Sequence, residues 1–290
     1  MELSVILTCH NGADTIGTQL EALAGQQWSG TWEVVVVDNG STDNSREIIE
    51  RFRGRLPGLR VVGASEKAGH GYACNVGARA SAGESLVFCD DDDEVAPGWI
   101  AAMGDALREA EFVAGRLEHD RLNETWAIEV RGRPQTDGLP VREFVPHLPF
   151  AFGCTIGIAR RLHDAVGGFD EEMVPSAEDM DYCWRLQLAG AQIRFTPSAV
   201  THYRGRASLG DVFQQARNYG VGDVRVYKKH RRLGMPAVQH PLATGVRKWL
   251  GLVKLFALAW NRTRLALALW HLGLRTGRLR GSIEQRILFP

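Results

Sequence analysis

Five consecutive acidic residues at positions 90–94 form the densest group of reactive side chains in the sequence. They directly follow an apolar run at residues 86–89 and are closed off by Pro97 and Gly98, which predicts a polar loop at the end of a buried strand. Carboxylates held this close repel one another, and a bound divalent cation relieves that repulsion. Mg²⁺ and Mn²⁺ prefer carboxylate oxygens, whereas the spacing does not fit the calcium loop of an EF-hand. The alternative is a solvated acidic loop that binds nothing.

A second acidic group, Glu178, Asp179 and Asp181, opens a predicted helix. The helix dipole favours acidic residues in a first turn, so helix stability alone is an alternative explanation for this group. The helical period places Asp179 and Tyr182 on one face and Met180 on another. A carboxylate at a helix start close to a metal site is a candidate general base, and we expect Asp179 in this role.

Short apolar runs alternate with helical patterns through the first 200 residues. The runs lie at 4–8, 33–37, 59–62 and 85–89, of which the first two are rich in β-branched residues, and helical patterns lie between them at 13–24, 43–53 and 73–80. Strands buried on both faces and separated by helices indicate an α/β protein with a parallel sheet, in which ligands bind at the carboxyl ends of the strands. Those ends carry residues 8–11, 38–43 and 90–94, so we expect their polar side chains to converge on one edge.

The formal charge of the chain is zero, but the charge is strongly divided along the sequence. Residues 1–200 hold 17 Lys and Arg against 31 Asp and Glu, whereas residues 201–290 hold 17 against 3. This division predicts that the basic C-terminal region is attracted to an anionic partner. A hydrophobic content of 44% excludes disordered and fibrous classes. Five widely spaced cysteines without a C-x-x-C pair, and no visible signal peptide, predict a cytoplasmic chain with reduced thiols.

Seven motifs in a fixed order resemble the inverting glycosyltransferases of family 2. The resemblance covers roughly residues 3–203 and implies the GT-A fold, a Rossmann-like, mostly parallel sheet flanked by helices. The motifs are SVILTCHN, EVVVVDNGSTDNS, AGHGYACNVGARASAGE, LVFCDDDDEVAPGWI, IARRLHDAVGGFDEE, AEDMDYCWRLQLAG and VTHY.

The resemblance implies transfer of a hexosyl or deoxyhexosyl group from a nucleoside-diphosphate sugar, by one in-line displacement that inverts the anomeric carbon. It implies a Mn²⁺ or Mg²⁺ ion held by a D-x-D motif, here Asp90 and Asp92, with His202 as a further ligand. Asp90 or Asp91 then reaches the ribose or a metal-bound water, and Asp179 takes the position of the catalytic base. The positions that it implies for donor binding are Thr8, Asn11, Asp38, Asn39, Gly69, Asn75, Asp90 and Asp91. We expect Glu178, Asp181 and Asp170 on the acceptor side.

Two motifs depart from the family pattern. The first strand ends in Thr-Cys-His-Asn where relatives more often have Pro-x-Tyr-Asn, and the second ends in Asp38-Asn39 where many have two acidic residues. Asn39 can donate and accept hydrogen bonds toward a base, which leaves uracil, thymine and guanine open. The Q-x-x-R-W motif of processive members is missing, which favours transfer of one or a few sugars.

Other functional classes fit the sequence less well. Gly69-His70-Gly71 lacks the third glycine of a dinucleotide-binding loop and follows the wrong strand, which argues against an oxidoreductase. A sugar nucleotidyltransferase normally has a glycine-rich basic loop after the first strand, where this chain has TCHNGADT. A catalytically inactive nucleotide- or glycan-binding scaffold remains the alternative to an enzyme.

The expected organisation is a catalytic domain at 1–205, a basic helical extension at 206–240 and amphipathic helices at 241–290. We expect the last segment to lie on the cytoplasmic face of an anionic membrane, with Trp249, Trp260 and Trp270 near the headgroups. The acceptor is then a lipid-linked or other glycan, as in cell-envelope glycan biosynthesis. The alternative is packing on the catalytic domain or in a homodimer interface. Nucleic acid is excluded as a partner, because nucleic-acid binding explains the basic charge of the C-terminal helices but not their apolar faces.

Overall fold

The computed structural model describes residues 1–142 and 147–290. Its eight strands form one sheet in the order β3-β2-β1-β4-β7-β6-β8-β5. The strands are β1 (Leu3–Cys9), β2 (Trp32–Asp38), β3 (Arg60–Gly63), β4 (Ser85–Asp90), β5 (Glu94–Val95), β6 (Phe112–Glu118), β7 (Ile156–Ala159) and β8 (Arg194–His202). The helices are α1 (Ile16–Ala24), α2 (Ser45–Glu50), α3 (His70–Ala80), α4 (Trp99–Glu109), α5 (Thr125–Arg131), α6 (Arg160–Ala165), α7 (Glu178–Leu188), α8 (Leu209–Arg231), α9 (Pro241–Ala257) and α10 (Arg262–Gln285).

The first half of the sheet is parallel, and its strands β1, β2 and β4 are largely buried on both faces, whereas the edge strand β3 is partly exposed. β1 pairs in parallel with β2 and β4, and β2 pairs in parallel with β3. Successive side chains of a strand point to opposite faces, so Ile6 and Val35 enter one core and Val5 and Val34 enter the other. The parallel arrangement aligns the carboxyl ends of these strands, as the alternation of apolar runs and helices predicts.

The second half of the sheet is mixed and carries strands that the sequence pattern did not predict. β7 pairs antiparallel with both β4 and β6, and β8 runs parallel to β6 but antiparallel to β5. The register between β6 and β8 shifts after Gly115, where Thr155 and Ala199 approach so closely that a side chain would not fit. The sheet is therefore mostly parallel with antiparallel members at one side.

Helices α8 and α10 pack along each other at very short range. A Cβ atom added at Gly277 would lie 2.0 Å from the carbonyl oxygen of Arg217, and one added at Gly220 would lie 2.4 Å from that of Leu274. Trp270 is buried in this packing, together with Trp126 and Val130 of α5. The expectation that Trp270 lies at a membrane surface is therefore wrong, because its helix uses that face to pack on the rest of the chain.

Helix α9 presents the opposite pattern, because most of its apolar side chains are exposed. Leu252 is buried against the protein, whereas Leu250 is 67% and Val253 is 69% exposed. None of the helices in residues 1–142 and 147–290 combines the length and the apolarity needed to span a bilayer.

Candidate active site

A cleft of about 1220 Å³ opens at the carboxyl edge of the parallel strands. The ends of β1, β2 and β4, the start of α3, the start of α7 and the segment after β8 all contribute to its wall, and α8 and α10 complete it. Its lining includes these residues expected from the sequence: Thr8, Asn39, Gly69, Asp90, Asp91, Asp92, Glu178 and Asp179. The fold thus brings both acidic groups into one cleft.

The acidic loop begins at Asp90, the last residue of β4, which lies beside Thr8 in the register of the sheet. Burial acts to raise the pKa of Asp90, but the charge and hydrogen bond of His70 outweigh it and lower that pKa. Burial and the Asp92 charge raise the pKa of Asp91 to about 6. Burial and Asp90 also raise the pKa of Asp92, although Arg206 opposes the shift. Carboxylates that lie close together raise one another's pKa, and a bound cation would lower the pKa values again.

His70 connects the two acidic groups of the cleft. Its Nε2 lies 3.1 Å from Oδ1 of Asp90 and its Nδ1 lies 3.0 Å from Oε1 of Glu178. Burial alone would lower the pKa of His70, but the neighbouring Cys74 and Asp90 raise it well above its ordinary value. This shift favours the imidazolium form of the ring, in which both nitrogens can donate to the two carboxylates. His70 was not among the site residues expected from the sequence, where the signal for it was its position directly after Gly69 at a helix start.

Asp179 lies in the first turn of α7, next to Glu178. Burial and the Glu178 charge raise the pKa of Asp179 to about 7. The backbone N–H of Met180 donates to its Oδ1 at 2.7 Å. Gly153 makes room for this arrangement, since a Cβ there would lie 3.1 Å from Cε1 of His70 and 3.7 Å from Cβ of Asp179. A carboxylate with a pKa near neutrality can exchange protons under physiological conditions.

Two arginines that follow β8, Arg204 and Arg206, contact the acidic loop. The backbone N–H of Arg204 donates to Asp93 at 2.7 Å, and its Nε donates to the carbonyl oxygen of Asp92 at 2.7 Å. Nη1 of Arg206 lies 3.2 Å from Oδ2 of Asp92. Neither residue was expected from the sequence, although Arg204 directly follows the VTHY motif and Arg206 lies two residues further on.

Asp93, the buried member of the acidic loop, lies close to the buried Cys154. Ligand atoms of Asp90, Asp93 and Cys154 come within 4.8 Å of one another. Burial raises the pKa of both Asp93 and Cys154 well above their ordinary values, which favours the uncharged form of each. A protonated thiol is a poor ligand for Mg²⁺ or Mn²⁺, which bind oxygen. The partly exposed carboxylates of Asp90 and Asp92 fit such a cation better than the buried Asp93 and Cys154.

His202, the other expected metal ligand, ends β8 beside the acidic loop. Its register partner in β5 is Glu94, the residue directly after Asp93. Nδ1 of His202 lies 2.6 Å from Oε2 of Glu118. Metal-binding histidines commonly donate one ring nitrogen to a carboxylate, which leaves the other free to bind the ion. His202 is not among the described residues that line the cleft.

Several residues expected to bind the donor instead hold the loops around it. Asp38 accepts from the backbone N–H of Ser41 at 2.8 Å, and Asn11 accepts from that of Thr42 at 2.8 Å. The amide of Asn75 is buried and bonds both the N–H and the carbonyl oxygen of Phe169 at 2.9 Å. None of Asn11, Asp38 and Asn75 is among the described residues of the cleft wall.

Asn39 lines the cleft, but its amide is engaged by the following loop. It donates to the carbonyl oxygens of Ala64 and Lys67 and accepts from the N–H of Gly69 at 3.0 Å. The backbone carbonyl oxygen of Asn39 lies 2.9 Å from Nδ1 of His10. Asn39 therefore positions residues 64–69 at the end of the sheet in this conformation.

The acceptor-side expectation for Asp181 is corrected by its surroundings. Asp181 is fully buried and binds Nε2 of His230 at 2.9 Å and Nε of Arg185 at 2.7 Å. Burial would raise its pKa, but these partners and Lys229 lower it to about 2. Lys229 also binds Asp170 at 2.7 Å, and Asp170 does not line the described cleft either. Both carboxylates thus hold α7 and its preceding loop against α8.

Comparison with protein families agrees with this geometry. A family model described as Glycosyl transferase family 2 matches residues 4–167, more than half of the chain. A second model, Glycosyl transferase family group 2, matches residues 143–274. The two matches together include both acidic groups and helix α8.

Two curated relatives illustrate the similarity. The chain is 25% identical over 232 residues to glycosyltransferase AglE of Haloferax volcanii, a match that covers 79% of this chain and 75% of AglE. It is 27% identical over 244 residues to the pre-mycofactocin glycosyltransferase of Mycobacterium tuberculosis. That second match covers 82% of this chain but only half of the relative.

Two solved structures share the fold. One is the mannosyltransferase PcManGT of Pyrobaculum calidifontis, solved with GDP-Man and Mn²⁺, which has a TM-score of 0.68 at 18% identity. The match covers 98% of this chain and 88% of the PcManGT chain. The other is a fragment of Staphylococcus aureus TarS with UDP-GlcNAc, which has a TM-score of 0.57 at 20% identity. That match covers 99% of this chain and 93% of the TarS fragment. The expected GT-A architecture is thereby confirmed. By the family match and the glycosyltransferases among its relatives, this chain belongs to glycosyltransferase family 2 and is a transferase.

Proposed function

We propose that the chain is a metal-dependent, inverting glycosyltransferase that moves a sugar from a nucleoside-diphosphate sugar to an acceptor hydroxyl. The observation that carries the proposal is Asp179, a carboxylate with a pKa of about 7 in the same cleft as the ionised Asp90. PcManGT with GDP-Man and TarS with UDP-GlcNAc support the donor class, because both share the fold and bind nucleotide sugars.

Asp90 and Asp92, with His202 as a further ligand, are the residues proposed to hold a divalent cation. A Mn²⁺ or Mg²⁺ ion bound there supplies positive charge to the diphosphate that leaves the donor sugar. Arg206, which contacts Asp92, adds a fixed positive charge on the same side. His70 holds Asp90 in place and keeps it ionised.

Asp179 is proposed as the general base. An alcohol is a weak nucleophile at neutral pH, so a carboxylate must accept its proton as the oxygen attacks the anomeric carbon. The new bond forms from oxygen to that carbon while the bond from the carbon to the diphosphate oxygen breaks. The proton remains on Asp179, and the electron pair leaves with the nucleoside diphosphate. One base opposite one leaving group is what an inverting displacement requires.

The direct test is turnover of nucleotide sugars by the purified full chain. Release of UDP, dTDP or GDP from the corresponding sugars, with Mn²⁺ or Mg²⁺ present, identifies the donor. Stabilisation of the protein against heat by each nucleoside diphosphate ranks the bases independently of turnover. Absence of turnover with every donor, together with nucleotide binding that a chelator leaves unchanged, would identify an inactive scaffold instead.

We further propose that α9 docks the enzyme on the anionic cytoplasmic face of a membrane, where it meets a lipid-linked or other glycan acceptor. Its exposed apolar side chains follow the helical period, and they are Leu242, Val246, Trp249, Leu250, Val253 and Phe256. Arg247 and Lys254 on the same helix supply positive charge. A contiguous apolar surface of this kind is costly in water and is typical of an interaction site. Flotation of the full chain with anionic vesicles tests the proposal, and a homodimer through α9 is the competing outcome.

A further inference from the structure

Aromatic side chains line the cleft next to the proposed base. Phe152, Tyr203 and Tyr219 all contribute to the cleft wall, and each is half-buried, so part of its ring remains open to solvent. The ring centres of Phe152 and Tyr203 lie 6.3 Å apart. We call these three residues the aromatic wall. Nothing in the proposed transfer chemistry at Asp90 and Asp179 uses them.

Short distances place Phe152 beside Asp179. The next residue is Gly153, where an added Cβ would lie 3.7 Å from Cβ of Asp179. The N–H of Ala151, which precedes Phe152, donates to Sγ of Cys183 at 3.4 Å, and Cys183 lies one turn after Asp179 on α7. The main chain that carries the Phe152 ring therefore runs alongside the first turns of α7.

Tyr219 approaches the same part of the cleft from α8. The carbonyl oxygen of the preceding residue, Asn218, accepts from Oγ of Ser176 at 3.0 Å, and Ser176 lies just before α7. Burial raises the pKa of Tyr219, and the charge of Asp179 adds to the shift, whereas a hydrogen bond with Tyr203 opposes it. Tyr203 and Tyr219 are thus in contact with each other on the Asp179 side of the cleft.

Hydrogen bonds to β6 hold Phe152 and Tyr203 in place. The N–H of Phe152 donates to Oε1 of Gln135 at 2.8 Å, and Nε2 of Gln135 donates to the carbonyl oxygen of Gly115 at 2.8 Å. Gln135 is 3% exposed, so this link is buried. The N–H of Tyr203 donates to the carbonyl oxygen of Glu118 at 2.8 Å. Rings that are fixed before a ligand arrives lose little conformational entropy when they bind it.

The topology separates the aromatic wall from the residues expected at the nucleotide. Thr8 and Asn39 lie at the carboxyl ends of β1 and β2. Phe152 shortly precedes β7 and Tyr203 directly follows β8, and both strands lie on the other side of β4 in the sheet. Asp90 ends β4, between the two sets. The aromatic wall therefore lies on the side of Asp90 away from the expected nucleotide site.

Three amide side chains of α8 line the cleft together with the aromatic wall, and they are Gln214, Gln215 and Asn218. Gln215 lies one helical turn before Tyr219 on the same face of α8. Nε2 of Gln214 donates to Oδ1 of Asn218 at 2.9 Å. The amide of Gln215 makes no hydrogen bond within the part of the chain that the structure describes. An amide both donates and accepts, so this one can bond a ligand that offers hydroxyl groups.

Aromatic faces next to an available amide suit a sugar ring. The C–H groups on one face of a pyranose carry partial positive charge and pack on the negative face of an aromatic ring, while the hydroxyls pair with amides. An acyl chain would cover the rings but leave the amide unpaired, and a phosphate would pair with the amide without using the rings. A sugar is the ligand whose chemistry uses both.

We propose that the aromatic wall binds a pyranose ring of the acceptor, with Gln215 bonded to its hydroxyls and the attacking hydroxyl at Asp179. This inference rests on the proposed function, since it identifies the chemical class of that enzyme's second substrate. Phe152 sets the preference for a sugar, because its ring is held beside Asp179.

The test is saturation-transfer NMR of the full chain with the methyl glycosides of glucose, galactose, mannose and N-acetylglucosamine, in EDTA and without donor. At least one pyranoside should bind, and Phe152→Ala should weaken that binding by about tenfold, the loss expected from one aromatic contact. Phe152→Tyr keeps the ring and should bind as the wild type does. Trp260→Ala is the matched control, because Trp260 is also aromatic but is 72% exposed and is not among the described residues of the cleft wall.

Gln215→Ala gives a second measurement that leaves the aromatic rings intact. Its amide has no partner among the described residues, so the substitution should leave the temperature of unfolding unchanged. Pyranoside binding should weaken by about fivefold, the contribution of one hydrogen bond.

Three results would overturn the proposal. The first is wild-type protein that binds none of the pyranosides at tens of millimolar, and the second is folded Phe152→Ala protein that binds them as the wild type does. If Phe152→Ala does not fold, unchanged binding by Gln215→Ala takes its place. The third is displacement of the pyranoside by UDP or GDP with Mn²⁺ added, which would assign the sugar to the nucleotide side.

The outcome is independent of the proposed transfer. Because the pyranoside titrations need neither metal nor donor, they can succeed even if Asp179 is not the base. They can also fail while transfer at Asp179 to an acceptor of another class is real.

Discussion

The imidazole of His70 lies 3.1 Å from the carboxylate of Asp90, although the two residues belong to different elements of the chain. The other ring nitrogen lies 3.0 Å from Glu178, the neighbour of the proposed base. A single imidazole ring thereby connects the proposed metal site with the start of α7. The geometry of the two acidic groups consequently depends on a residue that need not touch either substrate.

Replacing His70 by Ala should reduce the rate of transfer by about 10- to 100-fold, the cost typical of losing a group that orients a metal ligand. The rate should fall through kcat or the apparent Mn²⁺ affinity, and the temperature of unfolding should change little. Steady-state kinetics across a Mn²⁺ titration measures both effects. His70→Ala protein with wild-type kinetics at every metal concentration would remove His70 from this positioning role.

Asp179→Asn should reduce transfer by about 100- to 10,000-fold, the range that a general base contributes. The substitution keeps the shape of the side chain, so binding of the nucleoside diphosphate should be nearly unchanged. Asp105→Asn is the control, since Asp105 is an exposed carboxylate on α4. Product formation and nucleotide binding are measured on the same preparations, and retained turnover in Asp179→Asn would assign the base elsewhere.

The rate of transfer should rise with pH through about 7 if Asp179 is the base. Its pKa is raised, so the carboxyl group is protonated and inactive below that value and ionised above it. A cation bound at Asp90 and Asp92 should move the midpoint to lower pH, because positive charge favours the ionised carboxylate. A pH profile of kcat at two Mn²⁺ concentrations measures the shift. A flat profile between pH 5 and 8 is the result that contradicts this prediction.

Asp181→Asn should destabilise the fold by about 3 kcal/mol at neutral pH, because it leaves Lys229, His230 and Arg185 around a neutral group. The folded-state pKa of Asp181 is about 2, below the unfolded value, so its stabilisation is present above about pH 4. That stabilisation is lost as the pH falls toward 2. Urea unfolding should therefore show the gap between variant and wild type narrowing over this range, and a gap independent of pH would argue against an ionised Asp181.

The double substitution Leu250→Glu and Val253→Glu should abolish flotation with anionic vesicles. Both side chains are largely exposed, so the change removes apolar surface and adds repulsion without opening the core. Ile283→Glu is the control, since Ile283 is 71% exposed on α10. If the wild type instead forms a dimer that the double variant converts to monomer, with no vesicle binding in either, α9 is an interface between copies of the chain.

The sequence determined the parallel half of the sheet and the polar edge where its strands end. Residues 34–37 are four consecutive valines, and only a strand covered on both faces accommodates such a run. Once those strands are parallel, Thr8, Asn39 and Asp90 must share one edge. The start of α7 was also predictable from the local sequence, because the helix dipole favours acidic residues in a first turn.

The tertiary structure alone decided which partners these residues meet. Asp179 and Asp181 are two positions apart and chemically alike, yet one faces the cleft and the other is enclosed by Lys229 and His230. Likewise α9 and α10 are both basic and amphipathic, but close approach at Gly277 lets α10 pack on α8 while α9 keeps its apolar face exposed. The physical reason is that a sequence pattern shows that a helix has an apolar or charged face, whereas the complementary surface that covers it comes from residues distant in the chain.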